Sequence, residues 1–306
     1  MATEFLIGTR GSQLATTQSG MVRDQLAAHW QNEIDPRLEI ISTKGDVDST
    51  SLSQIGGQGV FTREIERALL DSRVQLAVHS LKDLPTDMDE RLQLSAIPVR
   101  EDIRDVLVTA DGGGLDQLPD GARIGTGSSR RQAQLLAIRP DLQFADLRGN
   151  VDTRLGKVTH GELDAVVLAA AGLHRLGHGD RISCYLDPNQ ILPAPGQGAL
   201  GLQTLKSDSV AHRLLSALND PATHTSVTAE RAFLASLGGG CRAPIAAWAR
   251  MEGEQLRLDG AVLSLDGATV CRGTLAGNSE DATRLGAQLG EQLKAEGALA
   301  LMADAG

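Results

Sequence analysis

The sequence predicts an α/β protein built on largely parallel sheets, with a smaller α+β part at its end. Strand and helix signals alternate through the first two thirds of the chain, the pattern of βα units. A linker-like stretch, Pro193-Ala194-Pro195-Gly196-Gln197-Gly198, then breaks the alternation. Beyond it, short strand signals around an Asp266-Gly267 hairpin turn indicate a small antiparallel sheet.

Phe5–Ile7 reads as the first strand and Thr9-Arg10-Gly11 as a turn, with Ser12 placed to cap a helix carrying Val22, Leu26 and Trp30 on one face. Leu38–Ser42 is the next strand, Phe61–Leu70 a helix, and Leu76–Val78 a strand leading into the turn His79–Pro85. A second set has strands at Val106–Thr109 and Arg123–Gly125, the latter feeding a helix over Gln132–Ile138. Leu142–Leu147 and Ala165–Ala169 are further strands, separated by a short helix near Thr153–Thr159. After the linker, a strand over Ala199–Thr204 precedes helices over Ser209–Leu218 and Thr225–Leu237. Leu256–Leu258, Ala261–Leu265 and Thr269–Thr274 are the strands of the terminal sheet. The last helix, capped by Ser279, carries Leu285, Leu289 and Leu293 on one face.

Composition narrows the function. The 306 residues carry a net charge of −10, yet residues 123–154 hold six arginines against three aspartates. A positive pocket on a negative chain points to a small polyanionic ligand; a nucleic-acid groove would want a broadly basic face and more aromatics than 2%. No apolar run reaches the roughly 18–20 residues of a membrane span. The three cysteines, 184, 241 and 271, form neither a disulfide framework nor a zinc-ligand spacing. With no signal-peptide pattern at Met1–Gly8, a reducing cytoplasm is the expected compartment.

The arginines concentrate at glycine-rich turns that follow predicted strands. Gly125-Thr126-Gly127-Ser128-Ser129-Arg130-Arg131 offers backbone N–H groups, hydroxyls and two guanidiniums ahead of a helix, without the lysine of a P-loop or the spacing of a dinucleotide site. Leu147-Arg148-Gly149-Asn150, with Arg154 close behind, repeats the arrangement. Alone, either turn is as readily a capped helix with solvated arginines. Arg10 and Lys82-Asp83 also follow predicted strands, and ligands of open α/β sheets bind at those ends, so the four segments suggest one composite site. Asp83 suits acid/base work or stabilisation of a cation, and His79 suits the core. In Gly238-Gly239-Gly240-Cys241-Arg242 the glycines leave the sulfur open and Arg242 favours its thiolate, a setting for a reactive or derivatised cysteine. Cys184 and Cys271 read as packing residues.

These segments, taken in order, resemble the porphobilinogen deaminase (hydroxymethylbilane synthase) family over nearly the full chain. The resemblance runs from Gly8-Thr9-Arg10-Gly11-Ser12 and Ser42-Thr43-Lys44-Gly45-Asp46 through Gly59–Glu64, Ala77–Pro85, Arg100-Glu101-Asp102, Arg130-Arg131-Gln132 and Leu147–Val151. It ends with Gly196-Gln197-Gly198-Ala199, Ala229-Glu230-Arg231-Ala232-Phe233 and Gly239-Gly240-Cys241. It implies a transferase of tetrapyrrole and haem biosynthesis that joins four porphobilinogen molecules head to tail into linear hydroxymethylbilane, releasing ammonia, on a dipyrromethane primer held as a thioether by Cys241. Asp83 matches the catalytic aspartate. Lys82, Thr126, Ser128, Arg130, Arg131, Arg148 and Gly149 match cofactor-binding positions, and Arg10, Ser12, Arg154, Arg175 and Gln197 substrate-binding ones. Each pyrrole carries an acetate and a propionate, so repeated arginines meet a repeating polycarboxylate.

The implied fold is two domains like type 2 periplasmic binding proteins plus a smaller α+β domain with a three-stranded antiparallel sheet. The implied boundaries are 1–98 with 199–216, 99–198, and 217–306, in a monomer that binds neither nucleic acid, metal nor membrane. Gln54 and Gln58 stand where relatives often carry lysines, Gly127 replaces a common serine, and Gly238 a frequent acidic residue. A different class of reading, a non-catalytic small-polyanion binder on the same two-lobed scaffold, differs in assigning no chemistry to Asp83 and Cys241.

Overall fold

The computed structural model describes residues 2–42, 62–238 and 243–303. The chain divides into two compact units, Met1–Arg100 with Ala199–His224, and Glu101–Gly198 with Thr225–Gly306.

The strands, in chain order, are β1 Thr3–Thr9, β2 Ile34–Ile40, β3 Leu76–Ser80, β4 Leu92–Ala96, β5 Asp105–Thr109, β6 Arg123–Gly125, β7 Gln143–Ala145, β8 Ala165–Ala169, β9 Cys184–Tyr185, β10 Leu200–Leu205, β11 Ile245–Glu252, β12 Gln255–Leu263 and β13 Val270–Asn278. The first unit's sheet has the order β2-β1-β3-β10-β4, and the second unit's larger sheet the order β7-β6-β8-β5-β9. The two orders are the same motif. In each, one strand runs against the other four: β10 is antiparallel to β3 and β4, and β5 is antiparallel to β8 and β9. Both exceptions directly follow a crossing between the units, so each lobe receives its reversed strand from chain that has just left the other. This is the topology of type 2 periplasmic-binding-protein lobes. The sequence's expectation of largely parallel sheets holds for four strands of each five, and the fifth departs from it because a strand arriving from outside the lobe need not obey the βαβ crossover rule.

Apolar strands form the centre of each lobe. Ile7, Leu76 and Leu202 are fully buried in one, and Val106, Val166 and Leu107 in the other. Helix Gln13–His29 packs Val22 and Leu26 onto the first sheet. The sequence places β2 too late, at residues 38–42, since Asp35-Pro36 reads as a breaker. The strand starts at Ile34 because it lies at the sheet edge, where a missing proline N–H costs no ladder bond. β4, β9, β11 and the helix Ala170–Arg175 carry no clear period and are not foreseen.

The second unit also contains the antiparallel sheet β11-β12-β13. Three strands are expected and three are found, but their identities differ. The segments 256–258 and 261–265 are one strand, β12, running unbroken through Asp259-Gly260. Gly260 reads as a break, yet it is a close approach: a Cβ there would come within 2.8 Å of Phe233 and 2.9 Å of Leu289. Ser279 does not cap the helix expected after it; it opens a 3-10 turn to Asp281, the helix runs Ala282–Ala295, and a short helix over Ala298–Ala303, not foreseen, follows it. Leu285, Leu289 and Leu293 face the core as predicted, and Gly286 lies against Ala229 O and Ala232 of helix Pro221–Ser236.

Candidate active site

In the first unit the candidate residues follow two paired parallel strands. β1 leads to Arg10 and Ser12, and β3, in register with it at Gly8↔Ala77, leads to Lys82 and Asp83. Ser12 caps helix Gln13–His29, its Oγ accepting the Ala15 N–H at 3.4 Å, and Ser80 Oγ donates to Gln18 Oε1 of that helix at 3.0 Å. Lys82 and Asp83 share a 3-10 turn, Leu81–Asp83, closed by the Leu84 N–H on Leu81 O at 3.2 Å. Leu81 and Leu84 are buried and pin the turn, which leaves Asp83 exposed at a fixed position. His79 is the core histidine its apolar flanks predict. Its Nε2 donates to Gln203 Oε1 at 3.0 Å, and the Gln203 amide donates to Glu66.

The second unit gathers two of its arginines on a residue the motifs did not flag. After β6, Thr126 N–H bonds Ala145 O, and Ser128 caps helix Ser129–Ile138, accepting the Arg131 N–H at 3.4 Å. The first turn of that helix directs Arg130 and Arg131 inward, where they are 4% and 6% exposed. Both end on Asp105, the first residue of β5, which has no exposed surface. Arg131 reaches Asp105 Oδ1 with Nε at 2.9 Å and Nη2 at 2.8 Å, while Arg130 Nη1 lies 2.7 Å from Oδ2. Gln197 Nε2 adds a donor to Oδ1 at 3.0 Å and another to Ile103 O at 2.7 Å. Main-chain carbonyls hold the guanidiniums as well: Arg130 Nη1, besides facing Asp105, donates to Leu192 O at 2.6 Å, and Arg131 Nη1 to Val167 O at 3.0 Å. Burial pushes the Asp105 carboxyl up, but the guanidiniums of Arg130 and Arg131 override it and hold the group well below the usual carboxylate range. Burial lowers the Arg130 pKa, and Asp105 opposes that shift.

The other arginine turn sits at the end of β7, beside β6. Gly149 adopts φ +98°, a left-handed conformation suited to glycine, and Asn150 caps helix Val151–Thr159 through Oδ1 on the Thr153 N–H at 2.9 Å. Arg148 is exposed, with Nε on Asp146 at 2.9 Å, and Arg154 Nε holds Gly149 O at 2.9 Å. Arg175 ends the helix after β8 and donates to Gly198 O at 2.7 Å; burial lowers its pKa against the pull of Glu101. All the candidates of each unit therefore stand at the carboxyl ends of that unit's parallel strands or on chain tied to them.

A model of the "Porphobilinogen deaminase, dipyromethane cofactor binding domain" matches residues 5–213, and one of the "Porphobilinogen deaminase, C-terminal domain" matches 224–295. A porphobilinogen deaminase of Roseiflexus castenholzii is 48% identical, covering 99% of this chain and 100% of its own. Those of Deinococcus radiodurans (48%; 97% of each chain) and Syntrophobacter fumaroxidans (46%; 95% of this chain, 94% of the relative) agree. The chain belongs to the porphobilinogen deaminase family. Likenesses to solved structures are remote: the second Venus-flytrap domain of Bordetella pertussis BvgS has a TM-score of 0.38 at 16% identity over 70% of this chain and 84% of that one. A putative methionine-binding lipoprotein of Bacillus subtilis has 0.42 at 12%, over 71% and 90%.

Porphobilinogen deaminase is a transferase that builds hydroxymethylbilane on a dipyrromethane cofactor, so the binder alternative gives way. The residues present fit a polycarboxylate group: Arg130 Nε and Arg175 Nε are buried with no hydrogen-bond partner, and Arg130 stands in the first turn of the helix that Ser128 caps. Cys241, with Gly239, Gly240 and Arg242, lies outside the described residues, as do Gln54 and Gln58. Two of the chain's departures from its relatives have local reasons. A Cβ at Gly127 would come within 3.0 Å of Leu147 O, and Gly238 has φ +65° just past helix Pro221–Ser236, a helix-ending position where an acidic side chain would be strained.

Asp105 and Glu230 are the residues that sequence reading missed. Glu230 is fully buried and accepts the Gly196 N–H at 2.6 Å and the Ala249 N–H at 2.8 Å, tying the Gly-Gln-Gly segment and β11 to helix Pro221–Ser236. The available signal for Asp105 was an acidic residue opening the otherwise apolar run Asp105-Val106-Leu107-Val108 in an arginine-rich chain.

Proposed function

We propose that the chain performs the deaminase reaction with Asp83 as the residue that delivers and accepts protons at the reacting amine and stabilises positive charge on the pyrroles. Asp83 is an exposed carboxylate on a pinned turn beside Lys82, a position from which it can meet substrate without reorganising the backbone. Cys241 would hold the dipyrromethane through its sulfur. Lys82, Thr126, Ser128, Arg130, Arg131, Arg148 and Gly149 would orient that cofactor's carboxylates, and Arg10, Ser12, Arg154, Arg175 and Gln197 those of the incoming substrate. When bound, the dipyrromethane supplies the free pyrrole carbon to which each new unit is joined. Guanidinium stays charged throughout the physiological range, so the grip on acetate and propionate groups does not lapse with pH. The observation that carries this reading is the buried arginine cluster at the strand carboxyl ends of the second unit; within the first unit, taken by itself, the exposed Asp83 carboxylate on its pinned turn after β3 supports it.

The proposed setting is cytoplasmic and monomeric, with porphobilinogen and the growing polypyrrole as the ligands and no nucleic acid among the partners. Domains over 1–98 with 199–216, 99–198 and 217–306 are the division proposed for it. Among the described residues no helix is long and apolar enough to cross a membrane.

Intact-mass measurement tests the reading. Protein exposed to porphobilinogen should carry a dipyrromethane increment that maps to Cys241, then add single pyrrole units stepwise. An unchanged mass together with absent turnover would end it. Light scattering at working concentration decides the monomer.

A further inference from the structure

We infer that Asp105 is a positioning residue for the reaction, a fixed counter-ion that aims Arg130 and Arg131 and leaves the pair with a single net positive charge. The inference rests on the deaminase reading of this site and concerns a residue to which that reading gives no role.

Arg130 and Arg131 are adjacent in sequence, at the start of one helix, and both are buried. Two guanidiniums so placed repel each other and lose hydration, so without a counter-ion they would swing outward or destabilise the turn. Asp105 supplies that counter-ion from a different element, the first residue of β5, whose backbone is fixed on both sides by pairing with β8 and β9. Its two oxygens are divided: Oδ1 serves Arg131 and Gln197, and Oδ2 faces Arg130 Nη1 at 2.7 Å. With Nη1 nitrogens also held by Leu192 O and Val167 O, neither guanidinium can rotate freely. Two positive charges and one negative leave one positive charge, and the Arg130 Nε has no internal partner. A site of this kind can order a carboxylate without the excess charge that would hold a lengthening polycarboxylate too tightly to advance. Gln197 then acts through Asp105: its amide locks Oδ1, and its neighbours Gly196 and Gly198 are anchored by Glu230 and Arg175.

The test compares the full chain with Asp105→Asn, which keeps shape and removes charge. Three readouts are taken: the rate at which apo protein gains the dipyrromethane mass on exposure to porphobilinogen, the KM and kcat of turnover, and the melting temperature. The expected result is cofactor gain slowed at least tenfold and KM raised at least tenfold, with kcat changed less than threefold. Arg131→Gln should give a similar KM, and the double variant little more than either alone, because both changes break the same ion-paired cluster. Native-like cofactor gain and KM in Asp105→Asn would overturn the inference, as would fully additive effects in the double variant. If Asp105→Asn does not fold, Asp105→Glu, which keeps the charge and shifts it by one methylene, decides: an elevated KM supports the role and a native KM sinks it. Failure of the native chain itself to gain mass would instead overturn the deaminase reading.

Discussion

Asp83 and Asp105 are the same side chain in opposite settings. Asp83 is exposed on a three-residue turn and is held by the buried leucines on either side of it. Asp105 is fully buried and is held by its own bonds, to two arginines and a glutamine. The first is positioned by backbone alone, which leaves its carboxyl open to a ligand. The second is positioned by its charge, which is consumed inside the protein. The contrast teaches that an aspartate near an arginine turn is not by that fact a catalyst; what it is bonded to decides. It also separates two kinds of damage, chemical without structural loss and structural loss that reaches chemistry only through the arginines.

The sharpest way to break the contrast is at Asp83. Asp83→Ala removes no internal packing, so its melting temperature should match the native one, within the ~0.5 kcal/mol typical of surface changes. Turnover should fall by about 10²–10⁴, the range of a lost proton-transfer group. Steady-state assay beside a thermal melt checks both. A variant that loses stability and activity together would erase the distinction drawn between the two aspartates.

The opposite profile is expected at the buried cluster. Arg131→Met leaves Asp105 with one guanidinium instead of two and empties the bonds to Val167 O. Breaking a buried pair costs on the order of 3–5 kcal/mol, and Arg130 should keep the loss near the lower end. Denaturant unfolding measures it. An unchanged midpoint would mean that the cluster is solvated, contrary to its burial.

Much of this was legible beforehand. The arginine turns, the Ser12 and Ser128 regions and the Lys82-Asp83 turn follow from glycine, capping and strand-end chemistry that is local in sequence. Asp105 was not legible, because its partners lie 25 and 26 residues away in Arg130 and Arg131 and 92 away in Gln197, and only the sheet order brings them together. The reversed direction of β5 and β10 was hidden for the same reason. β12 was misread as two strands because Gly260 breaks a local pattern while meeting a tertiary need, room for Phe233 and Leu289. Local chemistry shows through the sequence; the closest packing does not.

A smaller effect tests packing in the second unit apart from the chemistry. Gly286 faces Ala229 O and Ala232 on helix Pro221–Ser236, the helix that leads to Gly238 and carries Glu230. Gly286→Ala improves helix propensity by about 1 kcal/mol. The new methyl meets backbone that cannot yield, so overpacking of roughly 1–3 kcal/mol should win. The expected outcome is a net loss of stability with Asp83 chemistry untouched, read as a lowered melting temperature at native kcat. A raised melting temperature would show that the two helices can separate at little cost.

The smallest effect is in pH. Asp105's folded pKa lies below its unfolded value of about 3.9, so the stability it contributes is present above that pH and is lost as pH falls toward the folded value. The gap in melting temperature between the native chain and Asp105→Asn should therefore be flat from about pH 5 to 8 and narrow only in acid, below pH ~4. If the Asp105 gap closed near neutrality instead, its carboxyl would be protonated where the cluster requires it charged, and the two aspartates would differ in exposure alone.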